Sequence, residues 1–332
     1  MARKKRVVTV TGASGFVGNY VVERLLEEGE YEVRCLVRRN SNIASLALLA
    51  KDLEFVFGDI TRPETLEAAF EGSWGVINLA GCREFWNHNR GHFYDLNERG
   101  ASNVYKACLA AGVKKVVQVS TPLAYGLPDS IPFDETAAAG PHASDYARSK
   151  YLGDQAGWEL FETEGLPLTM VHLAAVIGAG DDTDTMEVRR AVEGKLPALV
   201  GADTTFTYLY VGDAAEAITR ALLKKDSIGK SYLIGNQRAT TRGYFNTIGK
   251  LASVAVPDRN IPESWLFPVA RGMEVLSRFT GRRPALPLDV LKTTAAGSLL
   301  FDARRSIEEL GMTYTPLETA LMESIVEIRL SA

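Results

Sequence analysis

Thr11-Gly12-Ala13-Ser14-Gly15-Phe16-Val17-Gly18 decides the reading of this chain. It follows a β-branched run, Arg6–Val10, and leads into an amphipathic stretch, Gly15–Glu28, so it lies between a strand and a helix. Gly12 allows the tight turn, Gly15 lets backbone approach a pyrophosphate, and Gly18 lets the helix pack closely on the strand. The unpaired N–H groups at the positive end of that helix then face the phosphates. Gly12, Ser14, Gly15, Phe16, Val17 and Gly18 are therefore the expected cofactor-binding residues of this turn. The Gly-Lys-Ser/Thr ending of an ATP-type loop is absent.

The same rhythm continues outward. Glu32–Val37, Leu53–Phe57, Gly75–Leu79, Lys115–Ser120 and Leu168–Leu173 are short and almost continuously apolar, as strands covered on both faces are. Amphipathic segments at Pro63–Glu71, Asn97–Ala111 and Ser144–Glu164 separate them. Such alternation predicts right-handed crossovers and an α/β fold, a Rossmann-type doubly wound parallel sheet. After Ala175 come a Gly178–Asp182 loop, a helix at Thr185–Glu193, a strand at Thr205–Val211, a helix at Asp213–Lys225 and a strand at Lys230–Ile234. The last hundred residues read as helices broken by prolines. The expected division is a nucleotide-binding domain over 1–177, completed by about 205–236. A smaller, mostly helical substrate lobe takes 178–204 and 237–332.

Composition narrows the class. The chain has 332 residues, 46% hydrophobic and 23% charged, with 37 basic and 41 acidic side chains and a net charge of −4. That balance lacks the basic footprint of a nucleic-acid binder. Three scattered cysteines (Cys35, Cys82, Cys108) fit neither a disulfide framework nor a zinc ribbon. No apolar run reaches the roughly 20 residues a membrane span needs. Arg3–Arg6 before Val7–Val10 mimics a signal peptide, but the apolar run breaks at Thr11-Gly12, and a first buried strand is the better reading. A cytoplasmic protein is expected.

Two further groups carry chemistry. Val37-Arg38-Arg39 ends the second strand, twenty residues past Gly18, where an NAD-specific enzyme usually has an acid for the ribose hydroxyls. A guanidinium instead suits a 2′-phosphate, so Arg38, with Arg39 beside it, predicts NADP(H) over NAD(H). Tyr146 and Lys150, at i and i+4, share one helix face. A neighbouring ammonium favours the phenolate and brings a poor base towards usefulness. Ser120-Thr121, at the end of the preceding strand, offers a hydroxyl to hold a substrate oxygen.

Together these features resemble the extended short-chain dehydrogenase/reductase family, also called the NAD-dependent epimerase/dehydratase family. Gly58-Asp59-Ile60 is similar to its adenine-binding segment, and Asn78-Leu79-Ala80-Gly81 to the fourth strand's end, where backbone lines the cofactor. Asn97-Glu98-Arg99-Gly100 resembles its Asn-x-x-Gly, and Val119-Ser120-Thr121 with Ala124-Tyr125-Gly126 its Ser-Ser/Thr-x-x-x-Tyr-Gly segment. The resemblance implies hydride exchange at nicotinamide C4. Tyr146 then moves the proton, Lys150 tunes Tyr146 and grips the ribose, Thr121 orients the substrate oxygen, and Ser120 is a second donor. Asp59, Ile60, Leu79, Ala80, Gly81, Ala174 and Val176 join the expected cofactor contacts. It also implies a homodimer through the Asn97–Ala111 and Ser144–Glu164 helices.

Departures from the family pattern bear on substrate. Sugar-nucleotide members usually carry Arg-Pro-x-Asn where this chain has His172-Leu173-Ala174-Ala175, and an Arg where counting back seven from Asp213 gives Phe206. Arginines elsewhere, such as Arg189, Arg190 or Arg242, are able to compensate. Phe206 and the Trp265-Leu266-Phe267 stretch resemble instead the dihydroflavonol reductase and 3β-hydroxysteroid dehydrogenase-like reductases of apolar or aromatic carbonyls. Phe85 and Trp86, after the fourth strand, either line that substrate or pack between lid and lobe. His88 and His92 read as lid residues, and no metal is expected. A nucleotide-sugar epimerase or dehydratase and a non-catalytic NADP-binding regulator are the alternatives. Pro262–Thr280, apolar with Arg271 and Arg278, reads as lobe packing, with contact at a membrane surface as the other option.

Overall fold

The computed structural model describes residues 5–181 and 185–331. Arg3 and Asp182, used above, lie outside them. Among the described residues the strands are, in chain order, β1 (Arg6–Thr11), β2 (Tyr31–Val37), β3 (Leu53–Phe57), β4 (Gly75–Asn78), β5 (Lys115–Ser120), β6 (Leu168–Leu173), β7 (Ala175–Ile177), β8 (Leu199–Val200), β9 (Thr205–Tyr210), β10 (Lys230–Ile234), β11 (Gln237–Thr240) and β12 (Asn260–Ile261). Seven of them form one sheet in the order β10-β6-β5-β4-β1-β2-β3, with every neighbouring pair parallel. The order reverses between β1 and β4, and such sheets bind ligands outside the carboxyl ends at that point.

The apolar runs make this sheet because helices cover both faces. Val8, Val10, Val76, Ile77, Val116 and Val117 have no exposed surface. The polar residues at the carboxyl edge satisfy one another. Thr11 Oγ1 donates to Asn78 Oδ1 at 2.5 Å, and Asn78 Nδ2 to Gln118 Oε1 at 2.7 Å, which ties β1, β4 and β5 together just below the crevice.

Three features differ from the sequence reading. Pro63–Glu71 is a 3₁₀ turn, Pro63–Thr65, followed by one helical turn, Glu67–Phe70. The Asn97–Ala111 segment is a helix only over Ala101–Ala110; Asp95–Gly100 is wound as a π-helix. That widening coincides with Asn97, whose side chain reaches across to the loop after β4 and to the Asp145–Glu164 helix. The third difference is where the C-terminal segment packs. Phe301, Ala303, Leu310 and Met312 are buried in the core of the main sheet, and the Phe301 ring lies 6.0 Å from that of Phe133. These residues fill the space beside β10 and the Val211–Leu223 helix, although they belong to the span expected to form the lobe.

A second, small sheet has the order β11-β9-β7, with β9 parallel to β7 and antiparallel to β11; it joins β7 and β9, from the spans expected for the nucleotide-binding domain, to β11 from the span expected for the lobe. Helices Thr185–Val192, Thr241–Ala252 and Leu317–Leu330 close on it around Ile177, Val188, Tyr208, Ile248, Leu321 and Ile325. No helix among the described residues is long and apolar enough to cross a membrane.

Candidate active site

The glycine turn is shaped by close backbone approaches. Gly12 has φ +68°, and a Cβ there would lie 2.9 Å from the backbone of Leu79 and Ala80. At Gly18 a Cβ would lie 2.1 Å from the Gly12 carbonyl oxygen. Turn, β4 end and helix are thus pressed together, and the Ala80 N–H donates to Thr11 Oγ1 at 3.1 Å. The helix starts at Phe16 with no side-chain cap at Gly15, which leaves its first N–H groups to be satisfied from outside the helix. Ala174 is buried just past β6, and Val176 follows on β7, packed partly against the main core.

At the end of β2, Arg38 and Arg39 are both exposed, and the Arg39 guanidinium lies over the Phe57 ring at 5.2 Å. Asp59 stands nearby. Burial pushes its carboxyl up, but hydrogen bonds from Thr61 N and Oγ1 at 2.9 and 2.7 Å, with Arg38 and Arg62 beyond, hold it below the ordinary aspartate range. Ile60 is buried, and its carbonyl accepts from Asn103 Nδ2 at 2.8 Å.

Tyr146, Lys150 and Thr121 converge at the carboxyl end of β5. Ser144 caps the Asp145–Glu164 helix by accepting from the Ala147 N–H at 3.2 Å, which sets Tyr146 in its first turn. Burial dominates the Tyr146 phenol and pushes its pKa well above the ordinary tyrosine value, the nearby Thr121 hydroxyl offsetting only part of the effect. The ammonium was expected to do the opposite. Lys150 Nζ instead donates to the Val119 carbonyl at 2.8 Å, and burial lowers its own pKa, opposed by the charge of Asp154.

Asp154 is one of the groups the sequence reading missed. It is buried one turn beyond Lys150, where its Oδ2 accepts from Ser120 Oγ at 2.6 Å and lies 3.3 Å from His172 Nε2. The Ser120 hydroxyl is therefore aimed into this polar cluster, and Thr121 is the hydroxyl on the Tyr146 side. The i+4, i+8 spacing from Tyr146 and Lys150 was the available signal. Asn97, quoted in the Asn-x-x-Gly motif without a role, is the second group whose part only the structure shows. Its amide accepts from Cys82 N–H at 2.8 Å and donates to Cys82 O and Ser149 Oγ, both at 2.9 Å. It staples the loop after β4 to the helix that carries the site. Asp289 is the third: buried in the lobe, it accepts from the Asp145 N–H at 3.1 Å, one residue before Tyr146.

The loop after β4 supplies the remaining wall. The Phe85 ring meets that of Tyr146 edge-on at 5.3 Å, and Trp86 is half-buried beside it. Arg83 lies over the Phe16 ring at 5.9 Å and pairs with Asp181 at 3.1 Å, bridging this loop to the Gly178–Asp181 loop. Phe206 packs against the lobe's core. Arg189 donates to Ser331 Oγ at 3.2 Å, and Arg242 to the Asp258 carbonyl at 3.2 Å.

Residues 8–235 match the NAD dependent epimerase/dehydratase family. The chain belongs to that family. It is an NAD(P)-dependent oxidoreductase of the extended short-chain dehydrogenase/reductase type. Similar curated proteins include a putative dihydroflavonol 4-reductase of Synechocystis, 27% identical over 95% of this chain and 92% of the relative. Sterol demethylase protein B of Methylococcus capsulatus is 26% identical over 96% and 97%. Among solved structures, that of gox2253 is 29% identical, with a TM-score of 0.84 over 99% of both chains. UDP-glucose 4-epimerase of Thermotoga maritima shares the fold at a TM-score of 0.79 and 21% identity, over 98% and 99% of the chains.

Proposed function

We propose that the protein is an NADP(H)-dependent reductase of small apolar or aromatic carbonyl compounds. The observation that carries the substrate class is the Phe85 ring set edge-on against Tyr146. The surface beside the proton-transferring phenol is aromatic, and the cation that reaches it, Arg83, is paired with Asp181, which makes it a poor seat for a sugar diphosphate. Arg189 and Arg242 are bonded within the lobe, which fits the same reading. So do two relatives, the putative dihydroflavonol 4-reductase and a 2-alkyl-3-oxoalkanoate reductase of Shewanella oneidensis, the latter 26% identical over 85% of this chain and 76% of the relative.

The cradle at Gly12 and Gly18, which a Cβ would fill, fits a dinucleotide pyrophosphate. Arg38 and Arg39 suit the 2′-phosphate, with Asp59 and Ile60 at the adenine end and Leu79, Ala80, Gly81, Ala174 and Val176 along the crevice. When bound, the nicotinamide supplies the hydride. Thr121 positions the substrate oxygen, and Tyr146 delivers the proton as an alkoxide develops. Burial keeps that phenol protonated, the form the reductive direction uses. Lys150 contributes positive charge that steadies the phenolate left behind. A homodimer through the helices at Ala101–Ala110 and Asp145–Glu164 belongs to the same reading, and light scattering checks it.

The test is a thermal-shift screen of aromatic ketones against UDP- and dTDP-sugars with NADP(H) present, followed by turnover. Stabilisation by ketones and stoichiometric NADPH consumption are expected. Stabilisation by nucleotide sugars with the cofactor recycled would replace the reductase by an epimerase. Tight NADPH binding without turnover across the carbonyl panel would make the chain a regulator. Tyr146→Phe should abolish turnover while NADPH still binds.

A further inference from the structure

The Glu263–Thr280 helix turns its apolar side outward. Trp265, Val269, Val275, Leu276 and Phe279 are all exposed, Trp265 by 74% and Phe279 by 84%. At about 100° per residue these positions fall within an arc of about 120°. Ala270, Glu274 and Ser277 lie on the opposite side, where Ala270 and Ser277 are buried against the lobe. This is an amphipathic helix whose stripe is left uncovered, the reverse of ordinary lobe packing.

Charge identifies the occupant. The chain as a whole carries −4, yet the exposed charges on this helix and just after it are Arg271, Arg278, Arg282 and Arg283. Arg271 and Arg278 sit together along one border of the stripe, the placement from which long cationic side chains reach a headgroup layer while the apolar arc is buried. The two acids of the helix are drawn inward. Glu274 Oε1 accepts from the Leu288 N–H at 3.3 Å, and Glu263 lies against Gly201. An apolar stripe bordered only by arginines complements an anionic lipid surface.

We propose that this helix docks the enzyme, lying flat, on an anionic phospholipid bilayer. The docked helix is close to the site: Glu274 bonds Leu288, and the neighbouring Asp289 bonds the backbone of Asp145, next to Tyr146. Docking therefore brings the substrate lobe to the surface in which an apolar carbonyl compound partitions.

The experiment uses the full chain with unilamellar vesicles of phosphatidylcholine, alone or with one quarter phosphatidylglycerol. Co-sedimentation is the readout, together with quenching of tryptophan emission by brominated acyl chains. Neither substrate nor cofactor is added, so the result stands apart from the reductase reading. Binding to the anionic vesicles is expected, weakened at high salt and much reduced on phosphatidylcholine alone. Trp265→Phe should remove the bromine quenching while binding persists. Phe279→Ser with Leu276→Ser should abolish binding, and Arg271→Gln with Arg278→Gln should weaken it about thirtyfold. All these positions are exposed, so unfolding midpoints should stay at the wild-type value and show that the variants fold. Equal binding to both vesicle types overturns the electrostatic argument. No vesicle binding, with self-association by light scattering that Phe279→Ser removes, assigns the stripe to a second copy of the chain and overturns the proposal.

Discussion

Replacing Gly153 by alanine would put a methyl carbon 2.0 Å from the Asn97 carbonyl oxygen and 3.1 Å from the carbonyl carbon. Ordinary contact begins at 3.4 Å, so the gap must open by 3.4 − 2.0 = 1.4 Å, close to the rise of one helical residue. The obstacle is backbone, held where the Asn97 side chain bonds Cys82 and Ser149, and it has no rotamer with which to retreat. The helix must therefore slide, and Tyr146 and Lys150 slide with it relative to Thr121 on the sheet. Overpacking of this kind costs about 1–3 kcal/mol of stability. A displacement of about 1 Å at a reacting group costs roughly a hundredfold in rate. Urea unfolding measures the first, and single-turnover NADPH oxidation at saturating ketone the second. Gly272→Ala is the control: it lies mid-helix with nothing within 4 Å of an added Cβ, and should gain about 0.5–1 kcal/mol. Wild-type stability and rate in Gly153→Ala, measured beside that control, would refute the idea that this contact sets the register of the site.

Three other outcomes follow from the same structure. Arg38→Asp with Arg39→Asp should weaken NADPH binding about tenfold to a hundredfold and leave NADH nearly unchanged, as fluorescence titration will show; equal losses for both cofactors would count against a 2′-phosphate role. Asp154→Ala should destabilise the fold by about 1–3 kcal/mol for each partner it abandons, Ser120 and His172, whereas Asp154→Asn should lose less because it can still accept a hydrogen bond. Burial lowers the Lys115 pKa from 10.5 to about 8, so between those values the unfolded chain holds a proton that the folded chain does not. Stability contributed by this group therefore rises with pH across that window, by about 3 kcal/mol in full, and Lys115→Met should remove that slope when the two proteins are compared by urea unfolding from pH 7.5 to 9.5.

Much of the sheet was legible because its strands are short, nearly continuous apolar runs, buried on both faces at the centre of the sheet though not at the β3 edge. Leu53–Phe57, Lys115–Ser120, Leu168–Leu173 and Lys230–Ile234 begin and end where their apolar runs do. Pro63–Glu71 was not legible: its proline and apolar spacing allow a helix, but the backbone there turns tightly as 3₁₀ and then makes a single helical turn. Phe301, Ala303, Leu310 and Met312 were placed in the lobe by position along the chain. Their packing beside β10 depends on a long-range return that no local pattern encodes.

The sequence by itself determined the glycine turn, the pairing of Tyr146 with Lys150 on one helix face, and the arginines at the end of β2. Each is a matter of residue type at short spacing, where helical or strand geometry leaves little choice. Only the tertiary structure decided which neighbour each group answers to. Lys150 donates to the Val119 carbonyl, Ser120 turns to a buried Asp154, and the Tyr146 phenol is kept protonated by burial. It alone decided that the apolar face of Glu263–Thr280 looks outward. Hydrogen-bond partners and desolvation are set by residues distant in the chain, and their energies depend on how the chain closes around them.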